Sequence, residues 1–337
     1  FKSLYPSIIK TFNIDPSSFL GNKKSKNSIE APNKVYFENT QGILPDIISK
    51  LHLAREKAKK EKRELSSYAI KIIMNSFFGV LASPNCRYFD LAMANAITNF
   101  GQEIIKLTTK EIEKMGYEVI YSDTDSCFIH TKLEKTKAKE LGHKISDIID
   151  KFYKEYIKTK YNRISYLDLE FDKLYSALLF PQIRIHETKK PKTEEEEAKE
   201  GRGAKKRYAG LIEEDNGKEE LDIVGLEAIR GDWTEAAKEF QRNLLLKTFK
   251  NENPATYIKE FVKDLNAGKL DKKLVYRKSI RKELDEYTKI TPPHVKAARQ
   301  LDTLDGNIIE YYITVTGPEP VQKLRHKLDY EHYIEKQ

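Results

Sequence analysis

The segment that most constrains the fold runs from Tyr121 to Ser126 and reads Tyr-Ser-Asp-Thr-Asp-Ser. It lies between two short apolar runs, a pattern that predicts a β-hairpin with two carboxylates at its tip. Residues i and i+2 of an extended segment point to the same side, so Asp123 and Asp125 are expected to converge while Thr124 points away. Converging carboxylates form a hard-oxygen site that suits Mg²⁺ better than Zn²⁺. The alternative is a plain turn, because Asp and Ser are common in turns.

The composition fits a chain of several packed units with an anionic partner. A length of 337 residues predicts two or three units, and 39% hydrophobic with 33% charged residues is typical of globular proteins with a large wet surface. We identify no run of about 18 apolar residues and therefore expect no membrane span. Two cysteines without disulfide or metal-finger spacing fit a reducing cytoplasm. The net charge of +8 permits a polyanionic partner.

Periodicity and turn signals predict an α+β fold. Residues 1–9 are expected to form a strand that turns into a helix, and 13–42 a connecting loop. The chain from Trp233 to Pro292 is expected to be largely helical. A charged stretch, 187–203, is expected to be a mobile loop. The remaining predicted elements are helices at 44–63, 65–83, 90–115 and 135–160 and strands at 166–180, 208–212 and 221–224.

One predicted helix carries an unusual polar face. Its members fall at i, i+4, i+7 and i+8, which places them on one side of the helix, and they are Lys71, Asn75, Phe78 and Gly79. A cation, an amide, an aromatic ring and a gap suit a nucleotide, with the lysine on phosphate and the ring beside a base. The alternative is a helix with a polar edge whose Phe78 packs in the core.

The preceding helix repeats the same spacing with four cations, Arg55, Lys59, Lys62 and Arg63. The short link between the two helices predicts an antiparallel pair, so both basic faces are expected to point at one ligand. A triphosphate carries enough negative charge to need several cations. For the outer two, Lys62 and Arg63, we prefer the alternative of a solvated charge run beside neighbouring glutamates.

Two further basic clusters are candidates for binding a phosphate backbone. The first reads Lys205-Lys206-Arg207-Tyr208, and alternation along a strand would put Lys206 and Tyr208 on one face and the other two on the opposite face. A lone tetrapeptide of this kind is a weak signal. The second cluster would hold a duplex or be plain surface, and it comprises Arg277, Lys278, Arg281 and Lys282.

Taken together, these segments resemble the motifs of family B DNA polymerases. Residues 1–9 resemble the first polymerase motif, 71–79 the fingers motif, 121–126 the second metal motif and 205–210 the template–primer motif. Their order and spacing agree with that family over nearly the whole chain. Stretches outside the motifs resemble the bacterial polymerase II branch of the family, namely 10–12, 14–16, 231–234, 275–278 and 328–333.

The resemblance implies a right-hand polymerase fold with an antiparallel-sheet palm, helical-hairpin fingers and a mostly helical thumb. On this basis we expect palm and connecting loop at 1–39, fingers at 40–85, palm at 86–225 and thumb at 226–337. The implied activity is that of a DNA-directed DNA polymerase in replication or repair, which adds deoxynucleoside triphosphates to a primer 3′-hydroxyl. The alternatives are a non-catalytic homologue that only binds primer–template DNA and a polymerase of RNA.

The resemblance also implies a site with two Mg²⁺ ions, in which Asp123 and Asp125 are the acidic ligands. The backbone carbonyl of Phe1 and the carboxylate of Glu170 are further candidate ligands. Backbone amides of Ser3 and Leu4 would meet phosphate oxygens. Tyr5 would lie under the deoxyribose, where its ring leaves no room for a 2′-hydroxyl and speaks against RNA synthesis.

The remaining implied roles concern the triphosphate and the DNA. Arg55, Lys59 and Lys71 would bind the triphosphate, and Lys71 would also protonate the leaving pyrophosphate. Asn75 would support the triphosphate while Phe78 packs near the new base pair. The residues implied in DNA binding are Lys205, Lys206, Arg207, Tyr208, Lys278 and Arg281.

Two departures from the family pattern affect these expectations. The first motif of the family begins with an Asp immediately before the position of Phe1, and this chain starts at Phe1 without Met. We therefore expect a fragment that is weak or inactive alone and that partners the missing N-terminal and exonuclease part; a sliding clamp is a further candidate partner. The second departure is Phe78, where the family usually has Tyr, so a hydroxyl is lost while the ring is kept.

Overall fold

In the computed structural model, helices and antiparallel sheets alternate along a chain that divides into two compact units, Phe1–Asp172 and Lys173–Gln337. The structure describes residues 1–182, 204–213, 217–288, 291–304 and 306–336. The predicted α+β class is confirmed. The loop expected at 187–203 lies outside the described residues. The division between the units falls inside the segment predicted as palm, and the palm, fingers and thumb boundaries stay predictions.

The four helices predicted at 44–63, 65–83, 90–115 and 135–160 are confirmed in the first unit, with ends that differ by at most three residues. Asp90 caps the 24-residue helix Leu91–Lys114 by accepting a hydrogen bond from the Met93 amide at 2.9 Å, and Gly116, with φ 88°, follows its end. A three-residue link joins the second and third helices into an antiparallel hairpin. The helices are α1 Leu4–Phe12, α2 Ile43–Lys60, α3 Glu64–Ala82, α4 Leu91–Lys114 and α5 Lys135–Tyr161.

The strands of this unit form two small antiparallel sheets, ordered β1-β3-β2 and β4-β5. The predicted connecting loop at 13–42 is wrong in part, because it contains the first sheet. Its strands are two or three residues long and lie among Asn, Pro and Gly, so no alternating pattern reveals them. The strands are β1 Phe19–Gly21, β2 Ile29–Glu30, β3 Tyr36–Phe37, β4 Glu118–Asp123 and β5 Ser126–His130.

Helix α1 runs through the core of the first unit and packs against α2, α3 and α4. Ile8 and Ile9 are fully buried, and the ring of Phe12 stacks on Phe100 of α4 with centroids 3.7 Å apart and planes 9° apart. At the other end, the Arg163 guanidinium donates to the carbonyls of Thr11 and Lys10 and so caps α1. The predicted strand at the start of the chain is wrong, because residues 2–3 form a turn and the helix begins at Leu4.

The second unit holds two three-stranded antiparallel sheets, ordered β6-β7-β8 and β11-β10-β9. The predicted strand at 166–180 is shorter than expected, because only Tyr175–Leu179 pairs with a neighbour. The strands are β6 Tyr175–Leu179, β7 Tyr208–Glu213, β8 Glu219–Val224, β9 Tyr276–Ser279, β10 Ile308–Thr314 and β11 Gly317–Pro320. The helices are α6 Glu235–Phe249, α7 Ala255–Asn266, α8 Pro293–Ala298 and α9 Tyr330–Lys336.

The expectation of a largely helical segment up to Pro292 is wrong for its second half. Strand β9 pairs with β10 from Ser279 opposite Ile308 to Tyr276 opposite Tyr311, and the rings of Tyr276 and Tyr311 stack 5.5 Å apart. Because the partner of β9 lies some thirty positions later in the sequence, local periodicity does not reveal this pairing.

One helix among the described residues, α3, is long and apolar enough to cross a membrane by the measures of length and composition alone. Its residues 65–82 contain a single charged side chain, Lys71, but serines and an asparagine also interrupt its apolar residues. The prediction that the chain has no membrane span stays a prediction. One helix that meets these measures is weak evidence of a span, because core helices of other proteins meet them too.

Candidate functional site

A cavity of about 740 Å³ in the first unit brings together most of the predicted metal and nucleotide residues. Three parts of the chain form it: the residues at the start of α1, the facing sides of α2 and α3, and the tip of the β4–β5 hairpin with Glu170. Its lining residues are Phe1, Lys2, Ser3, Leu4, Tyr5, Arg55, Lys59, Lys71, Asn75, Thr124, Asp125 and Glu170. A second, smaller cavity of about 340 Å³ lies along α4 and contains none of the predicted site residues.

The first wall of the cavity is the start of α1. Ser3 adopts the left-handed conformation, with φ 48°, and directs the chain into a nine-residue helix. The first amides of a helix have no partner within it, and they carry a positive partial charge. Ser3, Leu4 and Tyr5 line the cavity at this end of the helix. The contact of the Ser3 and Leu4 amides with phosphate oxygens and the place of Tyr5 under the deoxyribose stay predictions.

The second wall is cationic and comes from the helical hairpin. Arg55 and Lys59 lie on α2, and Lys71 and Asn75 lie on α3. Lys59 already has a carboxylate neighbour, because its Nζ lies 3.2 Å from Oε1 of Glu56. The guanidinium of Arg55 is different, since its Nε and Nη1 are shielded from solvent and have no hydrogen-bond partner among the described residues.

Two predicted cations of the same hairpin stay outside the cavity. Lys62 lies in the link between the helices, where its φ is 55°, and Arg63 is paired with Glu61 at 2.6 Å. This placement agrees with the preferred interpretation of a solvated charge run.

The third wall carries the carboxylates. Asp123 pairs with Ser126 across the hairpin, and the chain reverses through Thr124, whose φ is 50°. The prediction that Asp123 and Asp125 share a side while Thr124 points away is therefore wrong, because the segment is a turn rather than an extended strand. Thr124 and Asp125 line the cavity, whereas Asp123 is absent from its described lining and accepts a hydrogen bond from Thr124 Oγ1 at 3.0 Å.

Contacts with the start of the chain hold this wall in place. The amino group of Phe1 donates to the main-chain carbonyl of Asp125 at 2.5 Å. Lys2 lies 2.6 Å from Glu170 Oε1 and 3.6 Å from Asp168 Oδ2. The hydrogen bond to Glu170 is the main cause that raises the pKa of Lys2, so this lysine is charged. Sequence reasoning missed Lys2, because its partners lie more than 160 positions away in the sequence.

The donors around this wall fit a hard cation in chemical type. Asp125, Glu170, the Phe1 carbonyl and the Thr124 hydroxyl all offer oxygen, which Mg²⁺ prefers. Within the described parts of the chain, no group of three or more His, Cys, Asp or Glu side chains is arranged to hold a metal. The cavity lining contains two carboxylates, Asp125 and Glu170. Glu170 accepts a hydrogen bond from Lys2, so Asp125 is the carboxylate that is more available to a metal.

The predicted base-side residues lie next to the cavity rather than in its lining. The ring of Phe78 packs against the ring of Tyr5, with centroids 4.9 Å apart and planes at 46°. Phe78 also packs against the buried core of the unit, as the alternative interpretation expects. Its position beside a base stays a prediction. A Cβ placed on Gly79 would have no neighbour within 4 Å, which leaves the expected gap.

The predicted DNA-binding tetrapeptide lies in the second unit at the start of β7. Lys206 has φ 57°, and regular pairing begins only at Tyr208, so simple strand alternation does not apply to these residues. Arg207 donates from Nη2 to Glu227, which engages one nitrogen of its guanidinium. The chain approaches Gly225 so closely that a Cβ there would lie 2.0 Å from the Lys206 carbonyl oxygen.

The second basic cluster, around β9, is partly neutralised by carboxylates of its own unit. Lys278 lies 3.9 Å from Asp232, and Arg277 lies 3.6 Å from Glu310. Arg281 and Lys282 follow the strand and are exposed. The structure therefore leaves their predicted DNA contacts as predictions.

The chain matches known proteins over its whole length. The family model for DNA polymerase family B matches residues 1–184 and 203–331. The chain is 38% identical to a protein named DNA polymerase II from Escherichia coli, over all of this chain and 43% of that protein. It is 30% identical to a DNA polymerase from a Desulfurococcus species and 29% identical to one from Thermococcus gorgonarius, with the same coverage. The chain thus spans less than half the length of these relatives.

Proposed function

This chain belongs to DNA polymerase family B, and from that premise we propose that it carries out templated DNA synthesis as the polymerising part of a longer enzyme. The reaction would add deoxynucleoside triphosphates to a primer 3′-hydroxyl and release pyrophosphate. The observation that carries the proposal is the cavity that holds Asp125 together with Arg55, Lys71 and the first turn of α1. A nucleotide with its magnesium needs cations and amides for its phosphates and a carboxylate for its metal.

The proposed position of the nucleotide follows from the charges of the cavity. The triphosphate would lie between the backbone amides of Ser3 and Leu4 and the cations Arg55, Lys59 and Lys71, with Asn75 as a further donor. Lys71 Nζ would donate a proton to the leaving pyrophosphate. The sugar would lie on the Tyr5 ring, which excludes a 2′-hydroxyl, and the contact of Phe78 with Tyr5 would keep that ring in place.

The proposed metal ligands are Asp125, Asp123, the Phe1 carbonyl and Glu170. Two bound Mg²⁺ ions would acidify the primer hydroxyl and neutralise charge on the triphosphate. Asp125 would be the principal ligand of this chain, because it lines the cavity and its side chain has no hydrogen bond or ion pair with another described residue. Glu170 would serve only after release from Lys2, which now holds it at 2.6 Å.

We propose that the fingers subdomain comprises residues 40–85, which contain the α2–α3 hairpin. Palm would comprise 1–39 and 86–225, and thumb 226–337. The tetrapeptide of Lys205, Lys206, Arg207 and Tyr208 would hold the primer end, with Lys278 and Arg281 as further DNA contacts. We propose a cytoplasmic or nucleoid location, with primer–template DNA, the exonuclease-bearing part of the polymerase and a sliding clamp as partners.

Primer extension tests this function. A longer chain, in which an aspartate and the N-terminal part of the polymerase precede Phe1, is expected to extend a recessed primer in the presence of Mg²⁺ and all four deoxynucleoside triphosphates. The 337-residue chain is expected to bind primer–template DNA and to extend it weakly or not at all. If the longer chain binds primer–template DNA without extending it, the protein is a binder and the proposed catalytic function is wrong.

A further inference from the structure

A tyrosine–carboxylate pair crosses the middle strand of the β6-β7-β8 sheet. The Tyr175 hydroxyl on β6 donates to Oδ2 of Asp222 on β8 at 2.5 Å, and Lys173 Nζ donates to the same oxygen at 2.9 Å. Strand β7 lies between them, with Ile212 opposite Tyr175 and Gly210 opposite Asp222. The tyrosine ring therefore spans a whole strand to reach its carboxylate.

Gly210 makes this crossing possible. A Cβ at this position would lie 2.2 Å from Cδ1 and 2.6 Å from Cε1 of the Tyr175 ring, distances that real side chains do not show. The absence of a side chain at 210 thus gives the ring its path over β7. Glycine is needed here because of the space that the ring takes up and not because of the backbone conformation, since φ at Gly210 is not positive.

Tyr208 shares that face of the sheet, because it lies two residues before Gly210 on the same strand. Its ring meets the ring of Tyr175 edge-on, with centroids 6.3 Å apart and planes at 83°, and meets Phe180 with centroids 5.9 Å apart. The Tyr208 ring therefore contacts the rings of both Tyr175 and Phe180. The hydrogen bond to Asp222 in turn fixes the position of the Tyr175 ring.

The charges keep this arrangement in a single protonation state. Burial, followed by the hydrogen bond to Asp222, raises the pKa of Tyr175 far above its usual value, and a hydrogen bond with Tyr208 adds to the rise. Burial would raise the pKa of Asp222, but the bonds from Tyr175 and Lys173 outweigh it and lower that pKa. At neutral pH the tyrosine is thus a donor and the carboxylate an acceptor.

We propose that Tyr175, anchored by Asp222 across Gly210, is a positioning residue that fixes the ring of Tyr208 for contact with the primer end. The inference rests on the proposed function, in which Tyr208 binds the primer, but it adds the residues that set the orientation of that tyrosine. It predicts that loss of one hydroxyl in β6, at a residue with no assigned DNA contact, weakens primer binding.

The test uses two separate variants of the 337-residue chain, Tyr175→Phe and Asp222→Asn, which keep side-chain size and weaken or remove the hydrogen bond between these positions. Asp222→Asn also removes the negative charge that pairs with Lys173, whereas Tyr175→Phe leaves that ion pair in place. Binding to a duplex with a recessed 3′ end is measured by fluorescence anisotropy. We expect each variant to raise the dissociation constant about 5-fold to 10-fold, and we expect Tyr175→Phe to add less than about 2-fold when Tyr208 is already Ala and its ring is gone. The matched control is Tyr330→Phe, which also removes a hydroxyl bound to a carboxylate, at 3.0 Å from Asp271, and is expected to leave binding unchanged.

A second measurement separates positioning from primer binding. The ¹⁹F NMR signal of 3-fluorotyrosine incorporated at position 208 is expected to shift and broaden in Tyr175→Phe without DNA. An unchanged signal, or an equal loss of binding in the presence and absence of the Tyr208 ring, would overturn the proposal. If the unsubstituted chain does not bind recessed primers, the proposed function fails, and the ¹⁹F signal alone decides whether Tyr175 positions Tyr208.

Discussion

Asp125→Ala is expected to abolish Mg²⁺-dependent primer extension by the longer chain, with a loss on the order of 10³-fold or more. Asp125 is the hairpin-tip carboxylate that lines the cavity, and its main chain is tied to the amino end of Phe1. Its side chain has no hydrogen bond or ion pair among the described residues, so it is available to a metal. An alanine would leave the triphosphate-bound metal without its principal carboxylate, while the hairpin itself is expected to fold.

The matched control is Glu118→Ala, which removes a carboxylate from the same hairpin at the far end of β4. Glu118 is exposed and faces His130 at 3.5 Å, outside the cavity. Extension rates are measured at saturating deoxynucleoside triphosphate and at several Mg²⁺ concentrations. Retention of extension within about 10-fold in Asp125→Ala would refute the proposed metal role, and an equal loss in Glu118→Ala would point to a folding defect.

Arg55→Ala is expected to weaken binding of Mg²⁺·deoxynucleoside triphosphate by about 30-fold, whereas Lys59→Ala is expected to weaken it by only about 3-fold. The two cations lie one turn apart on α2 and line the same cavity. Lys59 is already partly neutralised by Glu56 at 3.2 Å, whereas two nitrogens of Arg55 are shielded from solvent and have no hydrogen-bond partner in the described parts of the chain. A phosphate would therefore neutralise a charge at Arg55 that nothing else in the described chain neutralises.

Titration of a fluorescent deoxynucleoside triphosphate with the 337-residue chain measures this difference without requiring catalysis. The pair of variants is its own control, because both remove one positive charge from the same helix. Equal losses in the two variants would mean that only the overall charge of the hairpin matters, and the assignment of Arg55 as the principal phosphate contact would be wrong.

The sequence predicts those parts of the fold that depend on local patterns. The long helices have clear 3.6-residue periodicity and visible ends, such as the Asp90 cap and the Gly116 stop of α4. The hairpin around Asp125 follows from two short apolar runs with a polar tip. The placement of Arg55 and Lys71 in one cavity also follows from local signals, because helical spacing and a three-residue link place both cations on facing sides of a hairpin.

The remaining features depend on contacts between distant parts of the chain. Strand β9 forms only because β10 pairs with it, and the ion pair of Lys2 with Glu170 joins residues 168 positions apart. The path of Tyr175 over Gly210 to Asp222 needs three paired strands in one register before it can be recognised. The prediction for Asp123 and Asp125 is wrong for another reason: the chain reverses direction at Thr124, so the side-chain alternation of an extended strand does not hold there.

The site of nucleotide binding is the central claim, and photoaffinity labelling tests it most directly. The 337-residue chain is irradiated with Mg²⁺ and a dATP analogue that carries a photoreactive group on its γ-phosphate, and the labelled peptides are identified by mass spectrometry. We predict labels within α2 and α3, at 43–60 and 64–82, that are suppressed by excess unmodified dATP. Labels confined to residues 173–337, or labels that excess dATP does not suppress, would contradict the claim.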